Sequence, residues 1–141
     1  MIRKFKQSDM ESVLKIWLDS SIKAHDFIES NFWESNKDDM REIYIPSSEN
    51  YIYEKEGNIK GFISLYGDTV AALFVSPEIQ RLGIGTSLIK RAKKIHKSLN
   101  LTVYKENEKS VKFYINNGFK IIKEQIDKNT GCLELLMKYS S

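Results

Sequence analysis

Ala71-Ala72-Leu73-Phe74-Val75, then Gln80-Arg81-Leu82-Gly83-Ile84-Gly85, then an amphipathic run from Thr86: this stretch decides the fold. It reads as a strand that passes through a glycine turn into a helix. Such a junction leaves backbone N–H groups unpaired at the helix start. Together with the positive end of the helix dipole they form a site for a phosphate-bearing cofactor. Glycines at 83 and 85 let the backbone approach that anion without an intervening Cβ.

Upstream, Tyr51 to Glu56 and Ile59 to Tyr66 are strand-like runs flanking Gly57-Asn58, a hairpin turn pair. Gly67-Asp68 is a second turn, leading into a strand over Thr69 to Val75, so three antiparallel strands form a meander ending at the glycine loop. Before them come a short extended segment, Ile2 to Phe5, and a helix capped by Asp9 and running to about Ser21. That helix carries Val13, Leu14, Ile16 and Trp17 at helical spacing. A weaker helix is expected from about Glu34 to Tyr44, closed by Pro46. Downstream, a helix from about Gly85 to Ser98 presents Leu88, Ile89, Ala92 and Ile95 on one face. Leu99 to Tyr104 is a strand, and a short helix from about Lys109 to Asn117 ends at Gly118. Phe119 to Ile126 and Cys132 to Lys138 are final strands around a turn-rich stretch. The order is β-α-α-β-β-β-α-β-α-β-β, an α/β chain with a mixed, mostly antiparallel twisted sheet flanked by helices. It lacks the regular alternation of a doubly wound dinucleotide domain.

Composition narrows the class. With 141 residues, the chain is expected to form one domain over 1–141 with its own core. Hydrophobic residues make up 41% and charged ones 29%, which favours a soluble globular protein. No apolar run approaches the roughly 20 residues that span a bilayer, and the basic start lacks the apolar stretch of a signal peptide. Cys132 is the sole cysteine, so neither a disulfide framework nor a cysteine metal site is expected, and no metal is. A reducing cytoplasm is the expected compartment. The net charge of +3 is mild and interleaved with acids. It suits a polyanionic cofactor but not nucleic acid, and neither a nucleic-acid nor a membrane partner is expected. The sequence leaves the oligomeric state open.

Three readings compete for the glycine loop. A P-loop needs Lys-Ser/Thr after its last glycine, whereas Gly85 is followed by Thr86-Ser87 and no lysine until Lys90. A dinucleotide fingerprint needs a third glycine and a first-strand position, and both are missing. The third reading fits. Gln80-x-x-Gly83-x-Gly85, preceded by Leu73-x-Val75-x-Pro77 and followed by Asn107, Ser110, Phe113-Tyr114 and Gly118-Phe119, resembles the paired signatures of the GNAT superfamily of N-acetyltransferases. The similarity extends over nearly the whole chain, and small bacterial single-domain members are the best match.

That resemblance implies acetyl-CoA as co-substrate and an amine as acceptor, either a protein lysine or N-terminus or a small molecule, attacked directly in a ternary complex. Leu73, Phe74 and Val75 would offer backbone groups to the thioester and the pantetheine arm. The amides of Arg81, Leu82, Gly83, Ile84, Gly85 and Thr86 would hold the pyrophosphate. Asn107 matches the position that bonds the pantetheine arm, and Tyr114 the usual general acid for the departing thiolate. The general-base glutamate of some members has its counterpart here at Thr102, which leaves the base unassigned. His25 is a titratable candidate, and with Phe27 and Trp33 it is a candidate for the acceptor side.

Structural readings stand beside these. Tyr114 could be a core tyrosine, Asn107 the cap of the following helix, and His25 a packing residue. Phe27, Phe32 and Trp33 could belong either to the core or to an acceptor pocket. Cys132 reads as an inert buried thiol in an apolar strand. Lys109 and Lys112 could contact the cofactor's ribose phosphate, and read more simply as solvated lysines. Asp26, Glu29 and Glu34 are acids available to attract a cationic acceptor. From a different class of function, a CoA-binding sensor without turnover would share the cleft.

Overall fold

Tight turns and bulges shape the sheet, and one bulge bears on the site. The computed structural model describes residues 1–77 and 83–141, so Gln80, Arg81 and Leu82 of the expected phosphate loop lie outside the described residues. Strands β2 (Glu49–Lys55) and β3 (Asn58–Tyr66) are joined through Glu56 and Gly57, both with positive φ, 54° and 79°. The turn pair is therefore Glu56-Gly57 and not Gly57-Asn58, and Asn58 already pairs with Lys55. A two-residue turn left-handed at both positions matches the twist of the flanking strands, and glycine takes its second place. Gly67 (φ 56°) and Asp68 lead into β4 (Thr69–Val75). With β1 (Ile2–Lys4), β5 (Ser98–Tyr104), β6 (Lys120–Ile126) and β7 (Leu133–Ser140), the sheet has the order β1-β2-β3-β4-β5-β7-β6. Every neighbouring pair is antiparallel except β4 and β5.

The bulge falls in β4. Leu65 pairs with Val70 and Ser64 with Ala72, so Ala71 is inserted. Side chains alternate faces along a strand, and an extra residue resets that alternation. Val70 accordingly joins the core on one face of the sheet, Ala72 the core on the other, and Leu73 returns to the first.

The helices are placed much as their periodicity implies, with local differences. Helix α1 (Met10–Ala24) buries Val13, Leu14, Ile16 and Trp17 and runs past Ser21. Asp9 does not cap it through its side chain. Its carboxylate accepts two hydrogen bonds from Arg3, at 2.8 and 2.9 Å, and one from the Lys6 N–H at 2.8 Å. The second helical region begins earlier than Glu34 and is broken. It comprises α2 (Ser30–Ser35), α3 (Lys37–Asp39) and a π-turn over Met40–Tyr44. The break is at Asn36, whose side-chain amide donates to the Phe32 carbonyl at 2.6 Å, a local bond that competes with helix continuation. Helix α4 (Ile84–Ile95) packs Leu88, Ile89 and Ala92 on the face of the sheet opposite α1. Helix α5 (Glu108–Asn116) stops before Gly118 at φ 91°. Cys132 sits half-buried just ahead of β7 and not within it. Among the described residues, no helix is long and apolar enough to cross a membrane.

Candidate functional site

The sheet opens between β4 and β5. Their ladder is a single pair, Thr69 with Asn100, supported by the Asn100 N–H to the Asp68 carbonyl at 2.9 Å. Beyond it β5 follows β7, while β4 stays with β3. The Ser76 N–H donates to Lys60 O at 2.8 Å, which fixes the alternation along this end of β4. The backbone groups of Phe74 then face β3, while those of Leu73 and Val75 face the opened edge. The Val75 carbonyl accepts there from Ser20 Oγ at 3.1 Å.

A cavity of about 580 Å³ fills that edge. Leu73, Phe74 and Val75 form one wall, Gly83 to Thr86 one end, and Asn107, Ser110, Phe113 and Tyr114 the side contributed by α5 and its cap. The first bond inside α4 runs from the Ser87 N–H to the Gly83 carbonyl at 3.0 Å. The amides of Ile84, Gly85 and Thr86 precede it and have no partner within the helix. Gly83 takes φ 77°, a conformation that side chains other than glycine adopt at a cost. Gly85 is there for space, since a Cβ would lie 3.3 Å from the Phe113 ring. Lys109 and Lys112 line the cavity, and among its described lining residues there is no carboxylate.

Two polar groups on the α5 side matter most. Asn107 caps α5, with its Oδ1 accepting from the Ser110 N–H at 3.3 Å, and its Nδ2 lies 3.1 Å from His25 Nε2. Tyr114 is buried, its ring packed against Phe113 and Phe119 at centroid distances of 5.2 and 5.5 Å. The residue lines the cavity, and among the described residues its hydroxyl has no hydrogen-bond partner. Burial pushes the phenol well above its ordinary pKa of 10, so it holds its proton at neutral pH.

A second cavity, about 740 Å³, lies at the other end of β4. Thr69, Ala71 and Ala72 line it from the strand, Trp33 and Phe32 from α2, and Tyr104 and Asp127 from β5 and the β6–β7 loop. Ile43, Tyr44 and Tyr66 form an exposed apolar rim. Asp127 is the one acid among its described lining residues, which include no lysine or arginine. Its carboxylate accepts from Tyr104 Oη at 2.6 Å and from the Asn129 N–H at 2.9 Å. Asp26, Glu29 and Glu34 are exposed and do not line it.

Between the two cavities stands a cluster of aromatic rings. His25 stacks on Trp33 at 5.1 Å and meets Tyr104 edge-on at 5.1 Å, and Phe27 contacts His25 and Tyr104, each at 5.7 Å. His25 is only 7% exposed, and burial lowers its pKa below the ordinary 6.5. Of the three expected acceptor-side residues, Trp33 lines the second cavity, while His25 and Phe27 lie behind its wall. Thr102 is exposed on β5. Sequence reasoning missed Ser20, Tyr104 and Asp127. Ser20-Ser21 interrupts the apolar stripe of α1 one turn beyond Trp17, which was the available signal. Nothing local marks Asp127 within its turn-rich stretch.

A mixed sheet splayed at its one parallel junction, beside a helix N-terminus with free amides, is the architecture of an acyl-CoA-dependent N-acetyltransferase. Residues 19–141 match the acetyltransferase (GNAT) domain, and the chain belongs to that family. It is 35% identical over 123 residues to peptidyl-lysine N-acetyltransferase YiaC of Escherichia coli, covering 86% of this chain and 84% of that protein. Peptidyl-lysine N-acetyltransferase YjaB of the same organism is 28% identical over 121 residues, covering 85% and 82%. The solution structure of apo YjaB from E. coli superposes with a TM-score of 0.86 at 26% identity, covering 99% of this chain and 96% of that one. PaiA N-acetyltransferase of Thermoplasma acidophilum, solved with coenzyme A, has the same fold, with a TM-score of 0.83 at 20% identity and coverage of 100% and 98%.

Proposed function

We propose that this chain transfers the acetyl group of acetyl-CoA to the side-chain amine of a protein lysine, with the donor in the first cavity and the acceptor in the second. The observation that carries this reading is the sorting of charge across β4. Among the described lining residues, the first cavity has lysines and no carboxylate, and the second has one carboxylate and no lysine or arginine. A polyanionic donor suits the former and a cationic acceptor the latter. The names of the two E. coli relatives point to the same acceptor class, and the PaiA structure with coenzyme A supports the donor.

Bound acetyl-CoA supplies the activated acyl group. The neutral amine forms a C–N bond to its carbonyl carbon, the C–S bond breaks, and the thioester becomes an amide. The amides of Gly83 to Thr86, with Lys109 and Lys112, hold the phosphates, and the Arg81 and Leu82 amides join them in this reading. The backbone of Leu73 and Val75, on the opened edge, aligns the arm and donates toward the oxygen where charge develops, while the Phe74 backbone is turned to β3 and takes no part. Tyr114 Oη gives its proton to the leaving thiolate. The amine loses its proton to water in the second cavity. His25 is a poor base for that step, being buried with its Nε2 already engaged. Residues 1–141 act in this reading as one folding unit in the cytoplasm, since both cores share the same sheet.

The test is thiol release from acetyl-CoA with lysine peptides, protein N-termini, polyamines and aminoglycosides as acceptors. Turnover restricted to lysine peptides is expected. Tight CoA binding with no turnover on any acceptor would favour a sensor, and absence of CoA binding would sink the assignment of the first cavity.

A further inference from the structure

We infer that His25 is a positioning residue for the acyl-CoA site, holding the Asn107 amide so that one of its N–H groups stays aimed into the donor cleft. The inference rests on the donor-site reading above and adds a residue from outside the paired signatures.

The argument begins with the orientation of one amide. The backbone N–H of Ser110 can only donate, so the Asn107 atom facing it at 3.3 Å must be the carbonyl oxygen. The Asn107 NH₂ is thereby turned toward His25 Nε2, at 3.1 Å. An NH₂ group can only donate, so His25 Nε2 must be the unprotonated acceptor and Nδ1 must carry the proton. The surroundings keep the ring in that state. It lies sandwiched among Trp33, Tyr104 and Phe27, where desolvation disfavours the imidazolium. The Ser21 backbone acts the other way but less than desolvation does, and Nδ1 is buried without a hydrogen-bond partner among the described residues.

An asparagine NH₂ has two hydrogens. One is committed to His25. The other remains for a carbonyl acceptor in the cavity that Asn107 lines, and the amide carbonyls of a pantetheine arm are such acceptors. Without the His25 lone pair, rotation of the Asn107 side chain is opposed only by the single long bond to Ser110. The second donor would then no longer be held in place. His25 thus acts through Asn107 and touches neither substrate.

The experiment uses three variants. His25→Phe keeps an aromatic ring against Trp33 and removes the acceptor. His25→Gln restores a side-chain oxygen able to accept from Asn107. Asn107→Ala removes the proposed target. For His25→Phe, the KM for acetyl-CoA and the Kd for CoA are expected to rise roughly three- to tenfold, the worth of one hydrogen bond, with kcat changed less. His25→Gln should recover most of that loss. In the Asn107→Ala background, His25→Phe should have no further effect, because the two residues act as a unit. An unchanged Kd in folded His25→Phe, or additive losses in the double variant, would overturn the inference while leaving the donor site intact. Failure of the wild type to bind CoA would instead overturn the reading beneath it. Should His25→Phe not fold, long-range nitrogen–proton correlation on the wild type decides the matter. Protonated Nδ1 with bare Nε2 is expected, and the opposite tautomer would refute it.

Discussion

Replacing Tyr114 by phenylalanine separates chemistry from packing at the centre of the cleft. The ring is held by Phe113 and Phe119 and stays so in the variant. Among the described residues the hydroxyl has no partner whose loss could destabilise the fold. Removing it therefore leaves no orphaned group behind, and the unfolding free energy should stay within about 1 kcal/mol of wild type. The chemical step is another matter. A phenol kept protonated by burial, lining the wall opposite Leu73 to Val75, is able to give a proton to a departing thiolate. Loss of a positioned acid typically slows the step by orders of magnitude. The expected fall in kcat is roughly 10- to 1000-fold, equivalent to about 1.4 to 4 kcal/mol of transition-state stabilisation, with a smaller change in the KM for acetyl-CoA. The assay is initial-rate thiol release at saturating acceptor, paired with urea unfolding. Two results would refute the reasoning: an unchanged kcat, or a stability loss large enough to account for the rate loss by itself.

Other sites give equally direct outcomes. Gly83→Ala forces a Cβ onto a backbone at φ 77° and should cost about 1 to 2 kcal/mol in urea unfolding. Gly85→Ala has ordinary φ but crowds Phe113 at 3.3 Å, so it should raise the KM for acetyl-CoA more than it lowers stability. Asp127→Asn keeps the geometry of the side chain that Tyr104 donates to but removes its charge. The KM for a lysine peptide should rise roughly tenfold, as expected from about 1.4 kcal/mol of lost attraction in a partly solvated site, with CoA affinity unchanged by calorimetry. Stability should also fall with acidity in two stages. His25 has a folded pKa below 6.5, so both states are neutral above that pH, and below it the unfolded chain takes up the proton first. The urea midpoint should decline from about pH 6.5 downward, and His25→Phe should remove that stage. Asp9, lowered chiefly by its Arg3 hydrogen bonds, gives stability above 3.8 that is lost as pH falls toward its folded value.

What could be read from sequence followed the range of the forces involved. The meander, α4 and the Gly118 stop depend on alternation, helical period and single turn residues, all local. Tyr114 and Asn107 could be picked out because they match the second of the paired signatures, and the short helix with its cap brings both to one wall. The Glu56-Gly57 turn was misplaced by one residue because Asn58 is itself a good left-handed residue, and only pairing across the hairpin decides between them. The break at Asn36 likewise turns on one side-chain bond competing with the helix. The acceptor side was beyond local reasoning. Asp127 reaches its cavity only because β6 and β7 pair, and Tyr104, 23 positions away in the chain, meets it there.

The inserted Ala71 ties these parts together. A regular β4 would put Val70 and Ala72 on the same face, whereas the bulge sends them to opposite cores. The parallel ladder to β5 ends at Thr69, just before that insertion. Past the bulge, the edge of β4 is left to the cleft, with Leu73 lining the first cavity, while Ala71 and Ala72 line the second. The strand that separates the two cavities thus lines both, as does α1 through Ser20 and Ala24 on one side and Trp17 on the other. With the donor and acceptor placed as proposed, an acyl group against Leu73 and an amine near Asp127 meet beside this strand. Deleting Ala71 should therefore harm turnover, read as thiol release from acetyl-CoA, far more than it harms a sheet whose other ladders do not depend on this insertion.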